Sequence, residues 1–144
     1  MQAEALSPEG YRAVLALEHH VRSAVDGRLL ELVKLRASML NGCAFCLDMH
    51  GTDALKAGED VRRLLAVSAW RESPFFSDEE RAALALTDAV TRLGETGVDD
   101  PTWHAAVAAF GEATVAELLL AIATINVWNR LAVATHQAPP PLAA

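Results

Sequence analysis

The sequence predicts an all-α protein, a single helical domain over residues 1–144 built from about six to seven helices. Hydrophobic residues make up 52% of the chain, which is enough to form the core of one domain of this length. No stretch alternates apolar and polar residues with the period of two that a half-buried strand requires. Helix start and stop signals recur instead along the whole chain, and no linker long enough to divide it is present.

The first two predicted helices are separated by Gly27. Ser7 followed by Pro8 is typical of a helix start, because serine caps free backbone N–H groups and proline fits the first turn. The first helix is therefore predicted from there to about Val25. The second is predicted over residues 28–40, where apolar side chains recur at helical spacing. That stripe consists of Leu29, Leu30, Val33, Ala37 and Leu40.

Gly42 ends the second predicted helix, since glycine readily adopts the left-handed conformation that terminates many helices. A third helix is predicted from about Cys43 to Ala57. A fourth is predicted over residues 60–70, before a loop around Pro74. The second and third helices are expected to form an antiparallel hairpin that turns at Gly42.

The C-terminal half of the chain predicts three more helices. Ser77 and Glu80 have the spacing of a capping box, which opens a fifth helix that runs to about Leu93. A short sixth helix over residues 100–111 and a long seventh helix over residues 114–136 complete the set. The prolines that follow cannot continue a helix.

Composition argues against several classes of function. The net charge is -7, so we expect no surface that binds nucleic-acid phosphates. The first residues carry neither a basic start nor an apolar run, so we expect a cytoplasmic protein. Residues 115–135 are long enough to span a membrane, but they include Glu117 and Arg130. We interpret them as a helix buried in the domain or in a homo-oligomer interface.

The two cysteines of the chain, Cys43 and Cys46, form a C-x-x-C pattern. In a chain without a secretory signal, this pattern favours redox or metal chemistry over a structural disulfide. The pair follows Gly42 and so lies in the first turn of a helix, where free N–H groups and the helix dipole favour a thiolate. A thiolate attacks peroxides or disulfides, and a neighbouring thiol can condense with the sulfenic acid that results.

His50 follows Cys46 by four residues, so its imidazole lies one turn along the same helical face. An imidazole titrates near neutral pH and can accept the thiol proton directly or through a water molecule. Glu31 lies eleven residues before the turn at Gly42, and His50 lies eight residues after it. In an antiparallel hairpin, their positions along the helix axes therefore differ by about one helical turn. If the two faces meet, Glu31 orients His50 and completes a Cys–His–Glu relay.

Together these residues resemble the CxxC-containing branch of the alkyl hydroperoxidase D-like family, in the carboxymuconolactone decarboxylase superfamily. The resemblance rests on Glu31, Cys43, Cys46 and His50 at this spacing and on the segments around them. It covers about residues 10–138. The similar segments are Leu32–Ser38, Asn41–Cys46, Ala54-x-x-Ala57-Gly58 and Ile125–Arg130.

The resemblance implies an AhpD-like helical fold, a trimer or hexamer, and alkyl hydroperoxide reductase activity. It implies that Cys46 is the peroxidatic cysteine, that Cys43 resolves it, and that His50 and Glu31 relay protons. The implied substrates are a small organic hydroperoxide or hydrogen peroxide, reduced at the expense of an external lipoyl- or thioredoxin-like dithiol, without a cofactor or metal. One position departs from the best-characterised branch: Phe45 stands where that branch has a second histidine, so a relay step through that histidine is absent or replaced.

Other interpretations of the same residues stay open at this point. The C-x-x-C also fits a thiol–disulfide oxidoreductase or a redox sensor. Cys43, Cys46, His50 and Glu31 could instead supply four zinc ligands, which would make the protein a non-enzymatic helical oligomer that binds a metal or a partner. Glu31 could also be a solvated helix residue paired with Lys34.

Overall fold

The computed structural model describes residues 3–142, and these form helices without any β-strand. The all-α prediction is therefore confirmed. A short 3₁₀ turn, Val67–Ala69, directly follows the helix that ends at Ala66. In chain order the helices are α1 (Ala3–Leu6), α2 (Pro8–Ala24), α3 (Gly27–Asn41), α4 (Ala44–Lys56), α5 (Val61–Ala66), α6 (Asp78–Thr91) and α7 (Asp100–Ala134).

Three elements differ from the prediction. The sequence does not predict α1, because four residues are too few to show a helical period. The predicted helix over residues 60–70 is α-helical only to Ala66, where it tightens into the 3₁₀ turn. The predicted sixth and seventh helices are the two parts of α7, interrupted at Gly111 with φ 75° and ψ 158°. Glycine reaches this region without the steric cost of a Cβ atom.

Helix α3 is the central helix of the bundle. The Asp26 side chain caps its start by accepting hydrogen bonds from two backbone N–H groups, each at 3.1 Å. Gly42 ends the helix in the left-handed conformation, with φ 66°. From Leu30 to Ser38 every residue is buried except the half-buried Arg36. Helix α3 therefore contacts neighbours on every side, whereas the stripe seen in the sequence predicts burial on one face.

Two apolar clusters pack the other helices around α3. One joins α2, α3, α6 and α7 through side chains such as Leu30, Leu86 and Ile122. The other joins α3, α4, the α5 region and α6 through side chains such as Leu35 and Trp70. Full burial of a side chain of this size contributes about 1.5–3 kcal/mol. The two clusters thereby hold α2, α4 and α7 against α3, where their residues surround the cysteine pair.

Helix α7 is long and apolar enough to cross a membrane by length and composition. In the described chain Leu118 and Ile122 face the core, and 28% of the most apolar stretch of α7 is buried. The opposite side carries Leu120 and Val127, which are 40% and 38% exposed. One face of α7 thus belongs to the core, and the other is an apolar surface of the single chain.

Candidate active site

Cys43 and Cys46 lie at the N-terminus of α4 and are joined by a disulfide bond. Cys43 is the N-cap, and its Sγ accepts a hydrogen bond from the backbone N–H of Cys46 at 3.2 Å. The two Cα atoms are 5.3 Å apart, a distance that a disulfide spans without backbone movement. The predicted position of the C-x-x-C in the first turn of a helix is confirmed, and that position favours the thiolate once the bond is reduced.

A cavity of about 270 Å³ lies beside Cys46. Cys46 and His50 line it and Cys43 does not, although both cysteines are 1% exposed. A substrate in the cavity therefore meets Cys46 before Cys43. The volume lies at the small end of typical ligand cavities and suits a compact organic molecule. Most of the wall is apolar and comes from Tyr11, Leu15, Phe45, Met49, Trp128, Leu131 and Ala132.

His50 and Glu31 are in direct contact, with His50 Nδ1 2.8 Å from Glu31 Oε2. Both are buried, at 2% and 8% exposure. When the neutral imidazole donates its Nδ1–H to Glu31, Nε2 becomes the nitrogen that can accept a proton. The structure thus brings His50 and Glu31 of the predicted relay into contact and places Cys46 in the same cavity wall as His50, and their catalytic roles stay predictions.

Three ion pairs that the sequence does not predict connect Glu31 to charged residues behind it. Lys34 is completely buried, and its Nζ donates a hydrogen bond to Glu18 Oε1. Arg22 donates from Nε to the same Glu18 oxygen at 2.7 Å and from Nη1 to Glu31 Oε1 at 3.4 Å. We call Glu18, Arg22, Glu31, Lys34 and His50 the buried ionic cluster. The interpretation of Glu31 as a solvated residue paired with Lys34 is wrong, because Lys34 turns towards Glu18 on α2.

Both carboxylates of the cluster are ionised at neutral pH. Burial raises the pKa of Glu31, but the hydrogen bond from His50 and the charges of His50, Lys34 and Arg22 outweigh it and hold that pKa below 4.5. Burial also raises the pKa of Glu18, and hydrogen bonds and charges from Lys34 and Arg22 again lower it overall. Burial lowers the pKa of Lys34, and Glu18 offsets only part of that effect.

Spacing alone does not identify these residues as part of the site. Glu18 and Arg22 are four residues apart on α2, and Glu31 and Lys34 are three apart on α3. Charged pairs at such spacings are common on solvent-exposed helix faces, so they give no signal of burial. Only the packing of α2 against α3 reveals that the two pairs face each other.

We expect the free energy of unfolding to fall as the pH drops through the carboxylate range. The folded pKa values of Glu18 and Glu31 lie below 4.5, so their contribution is complete above that pH and is lost as the pH falls through the folded values. Urea unfolding at about pH 7 and about pH 3.5 measures the change. The stability deficit of Glu31→Gln relative to the natural chain should shrink at the lower pH. An equal deficit at both pH values would contradict this assignment.

The proposed zinc ligands are not arranged around a common point in this disulfide form. Cys43 and Cys46 are bonded to each other, and Nδ1 of His50 is held by Glu31. Within residues 3–142, no three or more His, Cys, Asp or Glu side chains are grouped so as to hold a metal ion.

Comparison of the sequence with protein families gives a match over residues 8–89 to the model of the carboxymuconolactone decarboxylase family, more than half of the chain. The chain belongs to the carboxymuconolactone decarboxylase family. The match runs from α2 into α6 and includes Glu31, Cys43, Cys46 and His50. The part of the cavity wall on α7 lies outside it.

This member of the carboxymuconolactone decarboxylase family is also similar to two bacterial proteins. The chain is 38% identical over 130 residues to the uncharacterised protein YdfG of Bacillus subtilis, covering 90% of this chain and 88% of YdfG. It is 35% identical over 109 residues to the uncharacterised protein YnjA of Escherichia coli, covering 76% of this chain and 59% of YnjA.

Solved structures show the same fold. A protein of unknown function from Agrobacterium tumefaciens, provisionally described as the antioxidant defence protein AhpD, superposes with a TM-score of 0.95 at 40% identity, over 99% of this chain and 98% of that one. The predicted AhpD-like fold is therefore confirmed. The debrominase Bmp8 superposes with a TM-score of 0.83 at 19% identity, over 94% of this chain and 74% of that one, and this likeness shows the fold alone.

Proposed function

We propose that this protein is a thiol-dependent alkyl hydroperoxide reductase, a peroxidase of the peroxiredoxin type. The observation that carries the proposal is the placement of the two sulfurs. Cys46 lines the cavity beside His50, and Cys43 lies behind it at disulfide distance. Membership of a family with an AhpD-like structural neighbour supports the same assignment.

The proposed cycle begins when the Cys46 thiolate attacks the distal oxygen of a hydroperoxide. The O–O bond breaks, Cys46 becomes a sulfenic acid, and the alkoxide leaves as an alcohol after it takes a proton. The thiol of Cys43 then attacks the Cys46 sulfur, which forms the disulfide and releases water. An external dithiol, of the lipoyl or thioredoxin kind, reduces the disulfide and is itself oxidised.

His50 and Glu31 serve as the proton relay in this proposal. Nε2 of His50 takes the proton from Cys46 and returns it to the leaving alkoxide. Glu31 holds Nδ1 and stabilises the imidazolium that forms in between, as its hydrogen bond and ionised state allow. Phe45 supplies an apolar wall, not a second base, and so favours an organic hydroperoxide over hydrogen peroxide as the substrate.

A cycle of this kind requires a supply of reduced dithiol. We therefore propose that the protein works in the cytoplasm, where thiol pools are kept reduced. The relay uses side chains only, so no cofactor is needed for the thiol chemistry.

The test follows thiols and peroxide together. Fully reduced protein receives one equivalent of cumene hydroperoxide, and free thiols and residual peroxide are measured over seconds. We expect two thiols to be lost per chain for each peroxide consumed, because both cysteines end in the disulfide.

Other outcomes identify the alternatives. A thiol count that stays constant over minutes would overturn the peroxidase proposal. Rapid oxidation by a protein disulfide in that case would indicate a thiol–disulfide oxidoreductase or a redox sensor. Stoichiometric zinc in the reduced, peroxide-inert protein would indicate the metal-binding alternative.

We also propose that the chain assembles into a homo-oligomer, a trimer or a hexamer. The side of α7 opposite the core exposes the apolar side chains of Leu120 and Val127, which a contact with another chain would bury. Light scattering at micromolar concentration is expected to give a mass of three or six chains. Val127→Glu should shift that mass downward, because it places a charge in the contact. A monomeric mass for the natural chain would contradict the proposal.

A further inference from the structure

The cavity beside Cys46 joins an apolar wall to one accessible cation. Among the described residues that line the cavity, Arg22 is the only Lys or Arg, and its side chain is 44% exposed. Glu18 also lines the cavity, but its side chain is 15% exposed and already bonded to Lys34 and Arg22. A molecule that enters therefore meets hydrocarbon surface and a guanidinium.

Arg22 has donor capacity left for such a molecule. Its Nε is used by Glu18 and its Nη1 by Glu31, while Nη2 has no hydrogen-bond partner in the described part of the chain. A guanidinium carries five N–H donors, and carboxylates are the groups whose geometry it matches.

Taken together, the charges of the buried ionic cluster do not repel an anion. The two carboxylates of the buried ionic cluster, Glu18 and Glu31, are balanced by the two cations Lys34 and Arg22. Each carboxylate is also held by a partner other than Arg22, namely Lys34 for Glu18 and His50 for Glu31.

We propose that the cavity binds a compact organic molecule that carries a carboxylate, with Arg22 binding the carboxylate and the apolar wall binding the hydrocarbon part. Taken together with the proposed function, on which this step rests, the substrate is a hydroperoxide of a carboxylic acid, oriented so that its peroxide group reaches Cys46. Arg22 is then the residue that determines specificity.

Binding of an unreactive analogue tests the carboxylate site without any peroxide chemistry. The probes are 4-isopropylbenzoate and its methyl ester, titrated calorimetrically into the disulfide form. We expect the acid to bind about tenfold more tightly than the ester, the size of a hydrogen bond to a charged group. Arg22→Gln should remove this preference, and Arg22→Lys should restore part of it.

Arg12→Gln is the matched control, because Arg12 lies on the same helix, is 71% exposed, and does not line the cavity. Within residues 3–142 its one ion pair is with Glu9. The variant should keep the preference for the acid. Equal affinities for acid and ester in the natural chain would overturn the proposal. So would an Arg22→Gln variant that is folded by circular dichroism and keeps the full preference.

Turnover separates this proposal from the proposed function. The substrates are 4-carboxycumene hydroperoxide and its methyl ester, and the quantity measured is the ratio of their kcat/KM values. We expect Arg22→Gln to lower that ratio about tenfold, mainly through KM. Consumption of both hydroperoxides at equal rates by the natural chain would overturn the carboxylate site and leave the peroxidase intact. Binding of the acid without consumption of either hydroperoxide would support the carboxylate site and overturn the peroxidase proposal.

Discussion

Cys46→Ser is expected to lower the rate of hydroperoxide consumption by about a thousandfold or more, because a serine hydroxyl is not ionised at neutral pH and cannot replace the thiolate nucleophile. Cys46 lines the cavity, so the variant should fail at the first chemical step, the attack of the thiolate on the peroxide. The measurement is peroxide remaining after addition to the reduced variant. Circular dichroism shows whether the variant is folded.

Cys43→Ser is the matched variant, since it removes the other sulfur of the same pair. It should still consume one equivalent of peroxide and then stop, with Cys46 held as a sulfenic acid that dimedone traps and mass spectrometry detects. The opposite pattern, with Cys46→Ser reacting once and Cys43→Ser inert, would reverse the two roles. Unchanged turnover in Cys46→Ser would remove the cysteine from the mechanism altogether.

Lys34→Met is expected to reduce the free energy of unfolding by about 3–5 kcal/mol, the usual cost of removing one partner of a buried ion pair. Lys34 is completely buried, and its loss leaves the Glu18 carboxylate with Arg22 as its sole ionic partner. One oxygen of Glu18 already lies buried without a hydrogen-bond partner among residues 3–142, so little else is available to compensate. Urea unfolding at neutral pH measures the effect.

The double variant Lys34→Met with Glu18→Gln should recover part of that loss, because glutamine leaves no unpaired charge in the interior. Arg12→Met is the control for losing a cation from an exposed pair with Glu9, and it should change stability by less than about 1 kcal/mol. A similar small effect of Lys34→Met would show that water reaches the pair and that the buried ionic cluster contributes little to stability.

The helices themselves are largely a property of the local sequence. The cap at Ser77, the glycine at position 42 and the proline at position 8 act on the backbone beside them, and the structure places helix ends there. Gly111 is a further case, since it divides α7 where the sequence predicts one helix to end. The short helix α1 and the 3₁₀ turn at Val67–Ala69 lie below the length at which periodicity is visible.

The core of the site also follows from the sequence, because its residues lie close together along one hairpin. Cys43, Cys46 and His50 are within one helix, and the turn at Gly42 sets the height of Glu31 opposite His50. A helical rise of about 1.5 Å per residue predicts that the two residues lie at similar heights. That the two helix faces meet, so that Glu31 contacts His50, is shown by the structure.

The tertiary structure alone decides what surrounds that core. Burial of α3 on every side turns Lys34 from an expected surface residue into an internal cation, and the approach of α2 provides Glu18 and Arg22. The cavity needs Trp128 from α7, which is 82 residues beyond Cys46 in the chain. Such contacts depend on how whole helices pack, and the local patterns that specify each helix carry no information about its distant neighbours.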